Sequence, residues 1–204
     1  MTPLQRTIWL VSSFLLGSFP TGYLLGRALK GIDIREHGSG NPGATNVFRV
    51  VGKPAGALTL AIDLLKGFLP VLAALKLEAG NVLWASAVGL AAIAGHNWSV
   101  FLRFKGGKGV ATSAGVFLAL APIPTAISGL FFALGLYASG HVSVGSLTGA
   151  AAMCVSMWFL TGSKFLTGLS VFCALLIFYL HRKIIARLLR HEEPKFTLGE
   201  KNGR

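Results

Sequence analysis

Seven apolar runs, near 7–26, 54–77, 82–102, 110–121, 124–139, 142–161 and 165–181, alternate with short polar joints along this chain. Most approach the roughly 20 residues that an α-helix needs to cross the hydrocarbon core of a bilayer. In lipid every backbone N–H and C=O must be paired within its own segment, so successive apolar runs of this length fold as helices. With 53% hydrophobic and 13% charged residues and a mean hydropathy of +0.65, no water-soluble class accommodates the chain. The expected fold is all-α: a polytopic integral membrane protein of about seven transmembrane helices, forming one membrane-embedded domain over 1–204. The first run has only Arg6 before it, is long for a signal core and lacks a small-x-small cleavage site, so it reads as a retained span. The fourth run, about a dozen residues or some 18 Å of helix before Pro122 and Pro124, is short for a crossing.

The joints Ala79-Gly80-Asn81, Pro122-Ile123-Pro124 and Gly162-Ser163-Lys164 are built of turn-formers and read as tight connections on one side of the membrane. The opposite side carries 27–53, 103–109, 138–146 and the tail from 181. Of the 19 Lys and Arg, only Arg6, Lys66, Lys76 and Lys164 fall elsewhere, while Lys201 and Arg204 are counted with the tail. Cations concentrate on cytoplasmic loops, so the N-terminus is expected outside and the C-terminus in the cytoplasm. The net charge of +12 thus reports topology, since no exposed aromatics interleave with the cations as nucleic-acid binding would need. Gly22-x-x-x-Gly26 and Gly145-x-x-x-Gly149 supply small-residue stripes for close helix packing. No internal repeat is visible.

Three polar stretches on the cationic side hold the chemistry. In the first, Gly38, Gly40 and Gly43 give the backbone freedom to point N–H groups into one concavity, and Ser39, Asn41, Thr45, Asn46 and Arg49 add polar groups and a charge. Such a loop suits a phosphate, or is an ordinary polar connection. In the second, from Gly95 and His96 to Thr112, the cations Arg103, Lys105 and Lys108 surround Gly106, Gly107 and Gly109 ahead of an apolar helix. A helix N-terminus offers unpaired N–H groups to an anion, and the alternative is a basic loop that solvates headgroups. No Ser or Thr follows the lysine of Gly106-Gly107-Lys108-Gly109, so this is no nucleotide-binding P-loop. In the third, Ser143 and Ser146 offer hydroxyls, although such serines often bond the preceding helical turn.

Asp63 and Lys66 lie i, i+3 inside the second run, where a buried charge costs about 2.5–3.5 kcal/mol. Structural support fits them better than catalysis: a mutual ion pair, or Asp63 orienting a loop cation such as Arg49 or Lys108. His96 and His181 border the cationic face beside these stretches, positioned to carry a proton or bind phosphate. His37, His141 and His191 read as ordinary loop residues. Cys154 and Cys173 sit inside apolar runs and indicate neither disulfide nor metal. No metal-ligand cluster, nucleophile elbow or His-x4-Asp acyltransferase pair occurs, and no cofactor is implied.

Jointly, Gly38 to Arg49, Gly95-His96 with Phe104 to Thr112, the Ser143 loop, Asp63-Leu64-Leu65-Lys66-Gly67 and His181-Arg182 resemble the bacterial acyl-phosphate:glycerol-3-phosphate acyltransferase family. The resemblance runs nearly end to end. It implies a multi-pass enzyme of the bacterial inner membrane, working at its cytoplasmic side. The enzyme would make lysophosphatidic acid and inorganic phosphate from acyl phosphate and sn-glycerol 3-phosphate, the first step of phospholipid synthesis. It places the family's phosphate-binding serine, arginine and lysine at Ser39, Arg49 and Lys108, its third-motif serine at Ser143 and its C-terminal histidine at His181. Three departures stand out: Ser99 where proline is usual, Arg103 where glycine is common, and Ile184 where an asparagine usually stands. The partners implied are the two phosphorylated substrates and membrane lipid. The polar stretches are then expected to meet as one electropositive pocket. A transporter of a phosphorylated metabolite would also use basic glycine loops among apolar helices, but would commonly show repeated halves.

Overall fold

The computed structural model describes residues 1–196, so Lys201 and Arg204 lie outside the described residues. Among those residues the chain is helical, and it divides into two compact units, Met1–Leu120 and Ala121–Arg204.

The first unit holds α1 (Pro3–Ser18), α2 (Thr21–Lys30), α3 (Ala44–Val50), α4 (Lys53–Leu77), α5 (Val82–Asn97) and α6 (Val110–Leu120). The first apolar run is therefore two helices. Pro20 has no N–H to continue the ladder, α1 stops at Ser18, and the chain restarts at Thr21, whose N–H donates to Phe19 O at 3.1 Å. Thr2 starts α1 with a reciprocal capping box to Gln5. Glu78, just past α4, ties down that end by pairing with Arg6 at 2.7 Å and the N-terminal ammonium at 3.1 Å. These partners hold the Glu78 carboxyl below its ordinary range although its desolvation works the other way.

Lipid gives helices no hydrophobic drive toward one another, so close packing and interhelical hydrogen bonds must hold them. Here α1 meets α5 through Gly17 against the Ala92 carbonyl and Gly95 against the Phe14 carbonyl, where any Cβ would collide. Ser13 Oγ donates to Val88 O at 2.8 Å across the same seam. Likewise α4 and α6 touch backbone to backbone at Gly67 and Gly115. At 11 residues α6 is the short helix expected from the fourth run.

The second unit holds α7 (Pro122–Ser139), α8 (Val142–Thr161) and α9 (Lys164–Leu189). Pro122-Ile123-Pro124 is not a joint but the first turn of α7, where proline's missing N–H costs nothing. The Gly145/Gly149 stripe packs on α7, with Gly145 against Phe132 O and Gly149 against Ser128 O. The Gly162-Ser163 joint is tight as expected: Gly162 is left-handed and Ser163 caps α9 through Leu166 N–H. Six helical segments, with Pro3–Lys30 taken as one, are long and apolar enough to cross a membrane, and Val110–Leu120 is shorter.

Candidate functional site

The Gly38–Gly43 loop is organised by one buried side chain. Asn46, in the first turn of α3 and 2% exposed, donates from Nδ2 to His37 O at 2.9 Å and Ile34 O at 3.1 Å. Its Oδ1 accepts the Ser39 N–H at 2.9 Å. The amide of Asn46, one of the residues expected to bind substrate, is committed to shaping the loop. Asn41 Oδ1 accepts the Gly43 N–H at 2.9 Å, and Gly38 and Gly40 take φ of +59° and +70°, the left-handed turn that glycine permits. Beneath the loop, Ile34, Val47 and Ala55 form a small core with Tyr23 and Leu25. The Arg27 and Arg35 guanidiniums lie over the Tyr23 ring at 5.6 and 5.1 Å. Arg35 also forks onto Asp33 at 2.7 and 3.0 Å, and this bonding lowers the Asp33 carboxyl to about 2. Set on that base, the Ser39 side chain is exposed and Thr45 is half-buried. Arg49 is also half-buried and makes no hydrogen bond or ion pair among the described residues.

The second stretch begins within α5, because the helix continues through His96 to Asn97, both buried. The backbone then turns through Arg103 and Phe104 at φ +54° and +61°. Gly106 N–H donates to Asn97 O at 3.1 Å and Gly107 N–H to His96 O at 3.0 Å, so the glycine loop folds back on the end of α5. Gly106, Gly107 and Gly109 stand where a Cβ would strike His96 or Asn97, which explains the glycine run better than flexibility does. Lys108 is half-buried just ahead of α6, and Lys105 is exposed. Arg103 in a left-handed conformation shows why glycine suits that position. Ser99, where proline is usual, donates its hydroxyl to Ser18 O at 2.6 Å, a bond proline could not make.

Asp63 and Lys66 form the mutual pair, Oδ1 to Nζ 2.8 Å, with side chains 5% and 4% exposed. Asp63 Oδ1 also has His96 Nδ1 at 3.8 Å. A small cavity between the first-span break and the two loops is lined by Phe19, Thr21, Pro42, Lys66, His96 and Gly107, among others. Ser39, Arg49 and Lys108 are not in that lining.

In the second unit Ser143 opens α8, buried, with a hydroxyl lacking a hydrogen-bond partner among the described atoms. Ser146 Oγ back-bonds to Val142 O at 2.9 Å, which takes it out of contention. His181, 3% exposed on α9, places Nδ1 2.8 Å from Ile177 O. A carbonyl only accepts, so Nδ1 carries a proton and the exchangeable position is Nε2. Ile184, one turn on, is buried. His141 is more than a loop residue: its Nε2 meets Glu193 O at 3.0 Å, and Phe196 N–H donates to Gly140 O at 2.7 Å, so the 193–196 segment is strapped to the α7–α8 turn.

Comparison with known proteins gives a consistent result. A family described as "Glycerol-3-phosphate acyltransferase" matches residues 7–191. A protein of that name from Trichlorobacter lovleyi is 48% identical over 188 residues, covering 92% of this chain and 96% of its own. Another from Geobacter metallireducens is 50% identical over 193 residues, covering 95% and 98%. Among solved structures, the glycerol 3-phosphate form of PlsY (YgiH), an integral membrane glycerol 3-phosphate acyltransferase, superposes with a TM-score of 0.89 at 36% identity. The match covers 95% of this chain and 96% of that one. A lysophosphatidic acid form of PlsY matches at 0.87.

Proposed function

Because this multi-span membrane chain belongs to the glycerol-3-phosphate acyltransferase family, we propose that it transfers a fatty acyl group from acyl phosphate to the 1-hydroxyl of sn-glycerol 3-phosphate. The products are lysophosphatidic acid and inorganic phosphate. The observation that carries this reading is two glycine-shaped loops in one unit, each with a half-buried cation, Arg49 and Lys108. Two phosphorylated substrates call for two anion-binding stretches. The solved relatives named for their glycerol 3-phosphate and lysophosphatidic acid forms support the same acceptor and product.

An acyl phosphate is already an activated mixed anhydride, so no covalent enzyme intermediate is needed. The glycerol 1-hydroxyl attacks the acyl carbonyl carbon, the bond from that carbon to the phosphate oxygen breaks, and phosphate departs with the electron pair. The hydroxyl proton passes to a phosphate oxygen or to His181. The protein's work is alignment and stabilisation of developing charge. Ser39 and Lys108 hold one phosphate on the loops that Gly40, Gly106 and Gly107 shape, and the N-terminus of α6 adds its dipole there. Arg49 holds the other, and Ser143 and His181 of the second unit are further catalytic residues by the family resemblance. Lys105, Gly38, Asn41, Gly43 and Thr45 complete the loop surfaces, and Asp63 and Lys66 support them. The site is placed at the cytoplasmic side of the bacterial inner membrane, as the family resemblance implies, with the N-terminus outside, a topology that the Lys and Arg distribution supports.

Arg49→Ala and Lys108→Ala are expected to abolish acyl transfer in protein that still inserts and stays monodisperse. Turnover near wild type in either refutes its role. A transporter would instead load labelled glycerol 3-phosphate into vesicles without acyl phosphate and form no lysophosphatidate.

A further inference from the structure

A mutual ion pair inside a membrane helix needs a reason beyond stability, because two apolar side chains of similar volume commonly hold a buried site as well. The surroundings of Asp63 and Lys66 supply one. Lys66 Nζ, besides its 2.8 Å contact with Asp63, donates to Phe19 O at 3.2 Å. That carbonyl lies at the break of the first span, where Pro20 stops the helical ladder, and it also receives the Thr21 N–H. Past the break, α2 runs under the first loop, with Gly22 so close to Pro42 O that a Cβ would collide. The same Asp63 Oδ1 has His96 Nδ1 at 3.8 Å, the His96 ring sits where a Cβ on Gly107 would strike it, and the His96 carbonyl accepts the Gly107 N–H at 3.0 Å. Thus one point on α4 touches the anchor of each glycine loop, and residues of all four segments line the same cavity.

We propose that Asp63 and Lys66 are positioning residues that pin the first-span break and the Lys105–Gly109 loop to a common point on α4, fixing the two anion-binding loops relative to each other. The kinetic part of this inference rests on the acyltransfer reading above; the pinning itself does not.

Full-length protein in detergent is compared as wild type, Lys66→Arg and the double variant Asp63→Leu/Lys66→Met, which leaves no charge stranded. Without substrate, hydrogen exchange at the Thr21, Gly106 and Gly107 amides should quicken at least tenfold in the double variant, while amides in the middle of α4 and α5 keep their wild-type rates. With both substrates, its kcat/KM for glycerol 3-phosphate should fall at least tenfold. Lys66→Arg keeps both the pair and a donor for Phe19 O, and should stay within about threefold of wild type. Should the apolar pair fail to insert, Asp63→Asn/Lys66→Gln keeps volume and polarity without the ion pair and is expected to show the same changes. Wild-type exchange at those amides in either folded double variant overturns the pinning. Faster exchange with unchanged kcat/KM overturns the positioning role. If the wild type forms no lysophosphatidate from acyl phosphate, the proposed reaction falls, and the exchange measurement still decides the pinning by itself.

Discussion

Removing the Asn46 amide should loosen the first loop without unfolding the protein. In Asn46→Ala three hydrogen bonds disappear: to Ile34 O in a fully buried setting, and to His37 O and from Ser39 N–H at half-exposed ones. A buried polar group left unpaired costs about 1–3 kcal/mol, whereas one that water reaches loses only about 0.5–1.5 kcal/mol. Because the losses are coupled, a local destabilisation of about 2–4 kcal/mol is expected. At 1.4 kcal/mol per decade that raises the open population of residues 38–41 by about thirty-fold to a thousand-fold. Asn46→Asp should be worse than Ala. It keeps an acceptor for Ser39 N–H but turns its other oxygen toward two carbonyls that had been receiving a donor. The assay is hydrogen exchange at the Ser39 amide, combined with acyl-transfer kinetics in the same detergent. Wild-type exchange and turnover in Asn46→Ala, or Asp behaving better than Ala, would refute the view that this side chain builds the loop.

Three other outcomes follow from the geometry. His181→Gln should shift the pH dependence of kcat if Nε2 carries the reacting proton, and an unshifted profile removes that role. Asp33, bonded by Arg35, has its carboxyl at about 2 against an ordinary 3.8. The folded value is the lower one, so its stabilisation is complete above the ordinary value and is lost as pH falls toward about 2. Asp33→Asn should therefore lower the midpoint of thermal unfolding near neutral pH and flatten its decline below about pH 4; an unchanged acid limb contradicts the assignment. Arg103→Gly relieves a left-handed non-glycine backbone at φ +54° and should stabilise the folded protein by about 1 kcal/mol, read as a rise in its unfolding midpoint.

The helices were legible because lipid makes hydrophobicity and length nearly sufficient: each expected run corresponds to helix in the structure, including the short one before Pro122. What hydropathy could not reveal is where an apolar run breaks. Phe19-Pro20 continues the run in composition, and only the loss of a backbone N–H marks the stop. The same blindness ran Pro122-Ile123-Pro124 together as a joint, although proline at a first helical position starts a helix as readily as it ends one. In the polar stretches residue types pointed to anion binding but not to who does what. Asn46 and Asn41 look alike in sequence, yet one is buried as a staple and the other closes a local turn. The Asp63–Lys66 pair was visible from its i, i+3 spacing. Its bond to Phe19 O was not, because that contact bridges 47 positions of chain. Ser143 and Ser146 illustrate the reverse: back-bonding was foreseeable for either serine, and only the helix start at Val142 decides that it is Ser146 that turns inward.

The most direct test is the reaction itself. Purified protein in detergent would be given labelled glycerol 3-phosphate and a fatty acyl phosphate, with a chelator present and no coenzyme A. The account predicts lysophosphatidate and inorganic phosphate in equal amounts, with neither formed when acyl-coenzyme A replaces the acyl phosphate. Product that appears only with acyl-coenzyme A, or only after a metal is restored, would contradict it.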